Sequence, residues 1–357
     1  MKILYTGWYG YHNAGDDAFV YITDWQLRKK FPNSEIYCLS PQHYGYGVQS
    51  IFLSKKMSFK AYLLSLIWYI PRMDVLVFSG GSLFKGSFNS NYHYAIIKTL
   101  CKLFRVKMLA IGVSVGPFLS KEESNKWTRF LTCFSLLALR DKRSYKLARE
   151  MGLNNDSLGF DIACMLPNLL KECHIDVSGS NKDTIGVSLC SFATESFQSD
   201  IKKSLLGFFK QKKRCDKIKM LVLKGGENGD KKISEDLATE LCMFGYQCEV
   251  IDYHDPFCVI QNMKSCKMMI CTRLHAGIFA YSFGVPFLMF EYEEKCTDFL
   301  NEIGKTDKCR IPELTFDKLG DAFENILSEK EILKPIDEMN GVVEQTFMLL
   351  KGSVDGC

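Results

Sequence analysis

The sequence has no apolar run long enough to cross a membrane. A spanning helix needs about 18 or more consecutive apolar residues, and the nearest candidate, FKAYLLSLIWYIPRM at 59–73, is shorter. Basic residues accompany the start of this segment, namely Lys55, Lys56 and Lys60. We expect a basic, aromatic-rich helix that packs on the sheet before the next strand, or one that also makes peripheral contact with an anionic inner-membrane surface.

The sequence also has no CxxC pair and no cluster of His and Cys with the spacing of metal ligands, although it contains 15 cysteines. Most cysteines lie scattered in apolar runs, and no signal-peptide pattern precedes the first strand-like run. We therefore expect buried free thiols in a reducing cytoplasm, and neither a bound metal nor a cofactor.

There is little excess charge of either sign. The formal net charge is +4, which permits a basic patch for an anionic ligand. Nucleic-acid-binding proteins usually carry clustered basic stripes with interleaved aromatic residues, and this sequence has none. We therefore expect no nucleic-acid partner, and the 47% hydrophobic content is typical of a globular protein.

Apolar strand-like runs alternate with helical patterns along the chain. The runs lack a clean polar alternation, which indicates strands that are buried on both faces of a parallel sheet. A polar stretch at 169–184, LLKECHIDVSGSNKDT, interrupts the pattern. The sequence predicts an α/β fold of two doubly wound Rossmann-like domains facing a cleft, at 1–172 and 182–335, with a C-terminal helix and tail at 336–357.

The residues after each strand are the first candidates for a site, because open parallel sheets bind ligands at the carboxyl ends of their strands. GWYGYHNAGDDAF at 7–19 is more polar than a turn requires. Its Asn13, Asp16 and Asp17 either cap the next helix or contact sugar hydroxyls. In SGGSLFKGSFNSNYH, Gly81 allows a ligand to approach the backbone closely.

Basic side chains end three other strands. Arg140 ends LLALRD, where a guanidinium can hold a carboxylate or phosphate through two parallel hydrogen bonds. Arg273 and His275 follow KMMICT, beside free helix N–H groups that favour an anion. Lys295 follows the next strand, on the same sheet edge. The helix after Arg140 is interpreted as a solvated face, with Arg143, Lys146 and Arg149 as weaker candidates.

Five motifs resemble those of the polysaccharide pyruvyl transferase family and occur in its order: GYHNAGDDAF, FSGGSLF, IGVSVGP, RDKRS and RLHAGIFAYSFGVPFLMFEYEEK. The resemblance implies a fold like that of the B-type glycosyltransferases. It also implies transfer of pyruvate from phosphoenolpyruvate onto two hydroxyls of a sugar, with release of phosphate. The implied acceptor is a polyprenyl-linked saccharide or a capsular or cell-surface glycan, and the implied location is the cytoplasmic side of the membrane.

The resemblance assigns the catalytic role to His275. The phosphoenolpyruvate-binding cations that it implies are Arg140, Arg273 and Lys295. Asp16 and Gly81 fall in motifs that shape the acceptor site. Two positions depart from the family pattern: LVLKGGENGD at 221–230 stands in place of a Pro/His-type loop, and Ser82 stands where a third glycine is common.

The chemistry fits these residues independently. Phosphoenolpyruvate carries a carboxylate and a phosphate, so its site needs several fixed cations. Ketal formation needs a proton on the methylene carbon while a sugar hydroxyl attacks the adjacent carbon; phosphate then leaves and a second hydroxyl closes the ring. We predict His275 as the general acid, and Asp16 or Asp17 as the residue that orients or deprotonates the acceptor.

Two other functions fit parts of the sequence. A B-type glycosyltransferase would use the same cleft and a basic diphosphate site for a nucleotide-sugar donor, with Glu291 or Glu293 holding a ribose. A catalytically silent glycan- or phosphate-binding module would bind its ligand without releasing phosphate. The RLHA motif combined with the downstream Lys295 favours pyruvyl transfer over both.

Overall fold

Two compact units make up the chain, as seen in a computed structural model. The first unit comprises Met1–Gly10, Asp16–Ile162 and Asp337–Cys357, and the second comprises Tyr11–Gly15 and Ala163–Ile336. The residues that the structure describes are 1–45, 48, 50–52, 59–179, 183–191, 194–211, 215–312, 315–328 and 332–356.

The first unit is built on a parallel sheet of seven strands. In chain order these are β1 Lys2–Thr6, β2 Glu35–Ser40, β3 Ser50–Phe52, β4 Val75–Phe84, β5 Lys107–Val115, β6 Leu136–Leu139 and β7 Asp156–Leu158. Their order in the sheet is β3-β2-β1-β4-β5-β6-β7, so the direction of winding reverses between β1 and β4. A reversal of this kind opens a crevice at the carboxyl edge, where this fold class binds its ligands.

Five helices connect these strands: α1 Ala14–Lys30, α2 Phe59–Tyr69, α3 His93–Phe104, α4 Lys121–Leu131 and α5 Lys142–Glu150. Two of them begin at side-chain caps, because Ser120 accepts a hydrogen bond from Glu123 N (3.2 Å) and Asp141 accepts one from Ser144 N (2.7 Å). The core between helices and sheet is aromatic, with fully buried Phe84, Trp127 and Phe130 among its members.

The sheet differs from the sequence prediction in two respects. β4 extends beyond DVLVFSG, which the sequence pattern predicts as a strand at 74–80, because Gly80 and Gly81 adopt positive φ values, +73° and +83°, that let the strand bend and go on to Phe84. The short strands β3 and β7 were not predicted, since three residues carry too little periodicity to indicate a strand.

The second unit is built on a five-stranded parallel sheet. Its strands are β8 Thr184–Ser188, β9 Lys217–Leu221, β10 Gln247–Ile251, β11 Met268–Cys271 and β12 Phe287–Met289. Their order is β10-β9-β8-β11-β12, which repeats the order of the first five strands of the other sheet. The winding therefore reverses between β8 and β11, and the carboxyl edge at that point is the expected ligand position.

The remaining helices are α6 Leu166–Glu172, α7 Glu195–Gln211, α8 Lys231–Met243, α9 Pro256–Lys264, α10 Leu274–Ser282, α11 Glu294–Glu302, α12 Phe316–Ser328 and α13 Ile336–Asp355. α6 extends into the start of the polar stretch at 169–184, because Pro167 sits in its first turn and Leu169 and Leu170 are buried. Residues 180–182 of that stretch lie outside the described residues.

The sequence predicts domains at 1–172 and 182–335, and these boundaries stay predictions. The two compact units cover other ranges of the chain. α13 belongs to the first unit, where Glu344 accepts hydrogen bonds from Gln26 (3.1 Å) and Lys30 and where Val343 and Phe347 are fully buried. Apolar contacts between distant segments therefore determine which unit each segment belongs to. The order of segments along the sequence does not reveal these contacts.

α2 confirms that the 59–73 segment forms a helix packed on the sheet, because Leu66 and Ile70 are completely buried in the first core. Lys55 and Lys56 lie outside the described residues. Among the helices that the structure describes, none is long and apolar enough to cross a membrane.

The cysteines within the described residues all carry free thiols, and many are buried. Burial raises the pKa of several of them, for example that of Cys101 to about 12 and that of Cys215 to about 11. In the described part of the chain, no three His, Cys, Asp or Glu side chains are grouped so that they could hold a metal ion.

Candidate active site

Arg273 and His275 lie at the winding reversal of the second sheet. The preceding strand β11 is fully buried, and Arg273 has an extended backbone (φ −79°, ψ 131°) at the start of α10. α10 can lie close to the sheet because it contains small residues; a Cβ on Gly277 would lie 2.2 Å from Met289 Cε. The apolar sequence around the pair therefore fixes both side chains at the carboxyl edge of the sheet.

The guanidinium of Arg273 forms a two-pronged ion pair with Asp230. Nε donates to Asp230 Oδ2 (2.9 Å) and Nη2 donates to Oδ1 (2.5 Å). Burial by itself lowers the pKa of Arg273, but the carboxylate of Asp230 outweighs it, so the net shift in pKa is upward. Arg273 is therefore a permanent cation, and the Asp230 carboxylate fixes the plane of its guanidinium.

Asp230 also ties two neighbouring loops together. Its carboxylate is completely buried and accepts hydrogen bonds from Ser191 N (2.9 Å) and from Lys224 N (3.0 Å). These two amides follow β8 and β9. The Asp230 side chain therefore binds the loops after both strands and also binds Arg273. Asp230 was not predicted as a site residue, although it closes the LVLKGGENGD segment that departs from the family pattern.

The segment Tyr11–Gly15 packs beside His275 within the second unit. Ala14 N donates to Leu223 O (2.9 Å), and Gly225 N donates to His12 O (2.8 Å). A Cβ placed on Gly15 would lie 1.9 Å from His275 Nδ1, much closer than real Cβ contacts come. Residue 15 must therefore be glycine if the imidazole is to keep this position, and nothing in sequence spacing reveals that requirement.

Asn13 belongs to the same segment. It forms an isolated antiparallel bridge with Lys224, and its Oδ1 accepts a weak hydrogen bond from Gly15 N (3.3 Å). These contacts help to hold the glycine against the histidine ring. The structure thus places Asn13 with the residues around His275 and in a different unit from Asp16.

Lys295 lies in the first turn of α11, after β12. Its Nζ is 2.5 Å from Glu293 Oε2 and 5.9 Å from the ring centroid of Tyr292, and the side chain is 40% exposed. The hydroxyl of Tyr292 lies 3.4 Å from Cys190 Sγ, and burial together with that thiol raises the pKa of Tyr292. Lys295 is therefore a partly solvated cation beside a tyrosine that stays protonated.

Arg140 lies at the carboxyl end of β6 in the first unit and is almost fully buried. Its Nη1 donates to Asp161 Oδ2 (2.8 Å), Nε donates to Ser114 Oγ (2.7 Å) and Nη2 donates to Ser82 Oγ (3.1 Å). Ser82 is the second departure from the family pattern, and its hydroxyl gives Arg140 an acceptor that a glycine lacks. Asp161 and Ser114 were not predicted.

Asp16 and Gly81 are brought together in the first unit. A Cβ on Gly81 would lie 3.7 Å from Asp16 Oδ1, and the positive φ of residue 81 favours glycine. The half-buried carboxylate of Asp16 therefore lies beside the winding reversal of the first sheet.

Asp17 has a different environment, since it is 1% exposed and accepts a hydrogen bond from Tyr44 Oη (2.8 Å). Burial and the neighbouring carboxylate raise the pKa of Tyr44, so this phenol remains a donor to Asp17. Of the two aspartates that were predicted for the acceptor, only Asp16 lies against Gly81.

The acidic residues that a nucleotide-sugar enzyme would use for a ribose are both engaged. Glu291 forms a two-pronged ion pair with Arg310, whose Nε lies 2.9 Å from Oε1, and its side chain is only 6% exposed. Glu293 is paired with Lys295. Glu291 is therefore held by Arg310, whereas the side chain of Glu293 is 47% exposed and its ribose role stays a prediction.

Comparison with known proteins identifies a family and a fold. The model of the family described as polysaccharide pyruvyl transferase matches residues 13–294. No curated protein matches the sequence.

Solved structures with a similar fold include two UDP-GlcNAc 2-epimerases and a sucrose-phosphate synthase. UDP-GlcNAc 2-epimerase from Methanocaldococcus jannaschii, in complex with UDP-GlcNAc and UDP, is similar with a TM-score of 0.63 and 12% identity, over 99% of this chain and 100% of that one. The UDP-GlcNAc 2-epimerase of Neisseria meningitidis gives 0.62 and 10%, with full coverage of both chains. Sucrose-phosphate synthase of Thermosynechococcus elongatus gives 0.54 and 8%, over 100% and 94%. The predicted B-type glycosyltransferase fold is confirmed.

Proposed function

Because the chain belongs to the polysaccharide pyruvyl transferase family, we propose that it transfers pyruvate from phosphoenolpyruvate onto two hydroxyls of a sugar, forming a ketal and releasing phosphate. The proposed acceptor is a polyprenyl-linked saccharide or another precursor of a capsular or cell-surface polysaccharide. Phosphoenolpyruvate acts as a co-substrate, and the proposed reaction uses no metal and no cofactor.

One observation carries the proposal: the rigid placement of Arg273 and His275 at the winding reversal of the second sheet, inside the family match. A permanent cation and an imidazole two residues apart at the same edge of the sheet suit a donor that is anionic and must be protonated. The other cations that we propose for the donor are Lys295 and Arg140. Lys295 is exposed enough to reach a ligand. Arg140 is held by three partners, so its guanidinium would bind the donor in a fixed orientation.

In the proposed reaction, His275 delivers a proton to the methylene carbon of phosphoenolpyruvate while an acceptor hydroxyl oxygen bonds to the adjacent carbon. The imidazole takes back the proton that this hydroxyl loses. The second hydroxyl then bonds to the same carbon, the bond to the phosphate oxygen breaks, and the remaining proton leaves with phosphate. We assign Asp16, and not the buried Asp17, to orient the acceptor hydroxyl.

A phosphate-release assay with phosphoenolpyruvate and lipid-linked saccharides, followed by mass spectrometry of the saccharide, tests the reaction. We expect one pyruvyl ketal and no added hexose. His275→Ala should lower turnover by about 10² to 10⁴-fold. His174→Asn is the matched control, because this exposed histidine has φ +54°, a conformation that asparagine tolerates. Transfer by a folded His275→Ala protein at the wild-type rate would refute the assignment.

The two other functions make different predictions in simple assays. The similarity to epimerases bound to UDP-GlcNAc motivates a nucleotide-sugar donor, and this donor predicts a rise in melting temperature with UDP and none with phosphoenolpyruvate. A silent binding module predicts a thermal shift with phosphoenolpyruvate and no phosphate release. We expect the shift with phosphoenolpyruvate together with phosphate release.

A further inference from the structure

α2 has one buried face and one exposed face, and both are apolar. Leu66, together with Ile70 in the turn that follows the helix, packs in the core of the first unit. On the opposite side, exposed residues follow the spacing i, i+4, i+7, i+8 that defines one helix face. Its apolar members are Leu64, Ile67 and Trp68, which are 57%, 42% and 60% exposed. A helix on the surface of a sheet normally turns polar side chains to water, so this face requires an explanation.

Basic residues flank the apolar face at both ends. Lys60 lies in the first turn of α2 and is exposed, and Arg72, which is also exposed, ends the 3-10 turn Ile70–Arg72 that follows the helix. The Arg72 guanidinium lies over the Trp68 ring, 3.9 Å from its centroid, and it donates to Trp68 O. Residues 59–73 contain no Asp or Glu. We call Lys60, Leu64, Ile67, Trp68 and Arg72 the α2 stripe.

The adjacent helix α3, which packs against α2, has the same composition. Its sequence HYAIIKTLCKLF has no acidic residue. It ends with Leu103 and Phe104, which are 70% and 47% exposed, between the exposed basic residues Lys102 and Arg105. Exposed apolar side chains accompanied only by positive charge therefore recur on two neighbouring helices.

We propose that the α2 stripe docks on the surface of an anionic lipid bilayer. Leu64, Ile67 and Trp68 would enter the boundary between headgroups and acyl chains, where a tryptophan ring is favoured. Lys60 and Arg72 would lie at the height of the anionic headgroups. The Arg72–Trp68 contact keeps the cation beside the inserted ring.

The charge of the stripe argues against a second copy of the chain as its occupant. In a two-fold symmetric contact the same patch meets itself. Lys60 and Arg72 of one copy would then face the basic residues of the other, with no carboxylate in the stripe to compensate. An anionic bilayer satisfies both the apolar and the basic side chains.

The inference rests on the proposed function, because docking on a bilayer would bring the enzyme to its lipid-linked acceptor. Its test is independent of that function, because binding to lipid is measured without donor or acceptor. The full chain is sedimented with vesicles of phosphatidylcholine alone and with vesicles that contain about 30% phosphatidylglycerol. We expect binding to the anionic vesicles only, weakened at high salt because the headgroup charge is screened.

Two variants divide the contributions. Leu64→Ser/Ile67→Ser/Trp68→Ser should lower the partition coefficient by about tenfold or more, through the loss of apolar insertion. Lys60→Glu/Arg72→Glu should lower it by a similar factor through charge. The matched control is Lys146→Glu/Lys203→Glu, with the same change in net charge at side chains that are 81% and 76% exposed. We expect the control to bind within about twofold of wild type, and all proteins to melt like wild type.

Absence of binding to anionic vesicles, or equal binding to both vesicle types, overturns the proposal. It is also overturned if the stripe variants bind vesicles like wild type. If light scattering then shows that these variants are monomers while the wild type is a dimer, the stripe is a contact between two copies of the chain. An enzyme that releases phosphate but binds no vesicles refutes the docking surface alone. A protein that binds vesicles through the stripe but releases no phosphate supports the surface and refutes the proposed function.

Discussion

Each unit contains a buried arginine at the carboxyl end of a strand, paired with a buried aspartate, but the two pairs are constructed differently. Arg140 spreads its donors over Asp161 and two serine hydroxyls. Arg273 gives two donors to the Asp230 carboxylate, which also accepts hydrogen bonds from two loop amides. Arg140 therefore depends on one buried carboxylate and two hydroxyls, whereas Arg273 shares the Asp230 carboxylate with the surrounding backbone.

Replacement of Asp230 should have the largest effect on stability. Asp230→Ala leaves a buried guanidinium and two backbone N–H groups without their acceptor, so we expect a loss of about 3–5 kcal/mol in the free energy of unfolding. Chemical denaturation measures it. Asp236→Ala, at an exposed position on α8, should change it by less than about 0.5 kcal/mol. A stable Asp230→Ala protein would show that Arg273 is not held by this carboxylate.

A methyl group at residue 15 should damage activity more than stability. Gly15→Ala places a Cβ where it must displace the His275 ring, and misplacement of a catalytic group by about 1 Å can cost about 10²-fold in rate. Steady-state kinetics should show the loss in kcat. Gly341→Ala is the control, since a Cβ there meets nothing within 4 Å. Unchanged kcat in Gly15→Ala would contradict the proposed role of His275 at its observed position.

The arginine of the first unit should tolerate the loss of one partner. Ser82→Gly restores the glycine that is common in the family and removes the acceptor of Arg140 Nη2. We expect a decrease of about 0.5–1.5 kcal/mol in the free energy of unfolding. A decrease as large as that of Asp230→Ala would erase the proposed difference between the two pairs.

The last expected effect is a pH dependence in the first unit. Burial lowers the pKa of His93 to about 4, below the 6.5 of an unfolded chain. Between these two pH values the unfolded chain binds a proton at His93 and the folded chain does not. The free energy of unfolding therefore falls as the pH drops from about 6.5 to about 4. Denaturation across this range should show a decrease on the order of 1–2 kcal/mol, which His93→Phe removes. His254→Gln, at an exposed histidine, should retain it.

The sequence predicted the fold and the strand-end residues because both depend on local pattern. Apolar runs without alternation indicated the parallel sheets, and Arg140, Arg273, His275 and Lys295 are all positioned by the strand that precedes them. Periodicity and chain order fix such positions before any tertiary contact is known.

Partners of these residues could not be predicted, because they come from distant segments. Asp161 and Asp230 lie 21 and 43 residues from the arginines that they bind. Gly15 lies against a ring 260 residues later in the chain, a distance that no local pattern spans. The 221–230 segment was recognised only as a departure from the family pattern, without the carboxylate that makes it important.

The assignment of Tyr11–Gly15 to the second unit has a consequence for gene architecture. A fragment encoding only residues 163–336 would include Arg273, His275 and Asp230, yet it would lack the five residues that pack beside the imidazole. The second unit is therefore not continuous in the sequence, since residues 11–15 belong to it and lie before the whole 16–162 segment of the first unit. A chimera that takes its second unit from a homologous protein would therefore also need residues 11–15 from that protein.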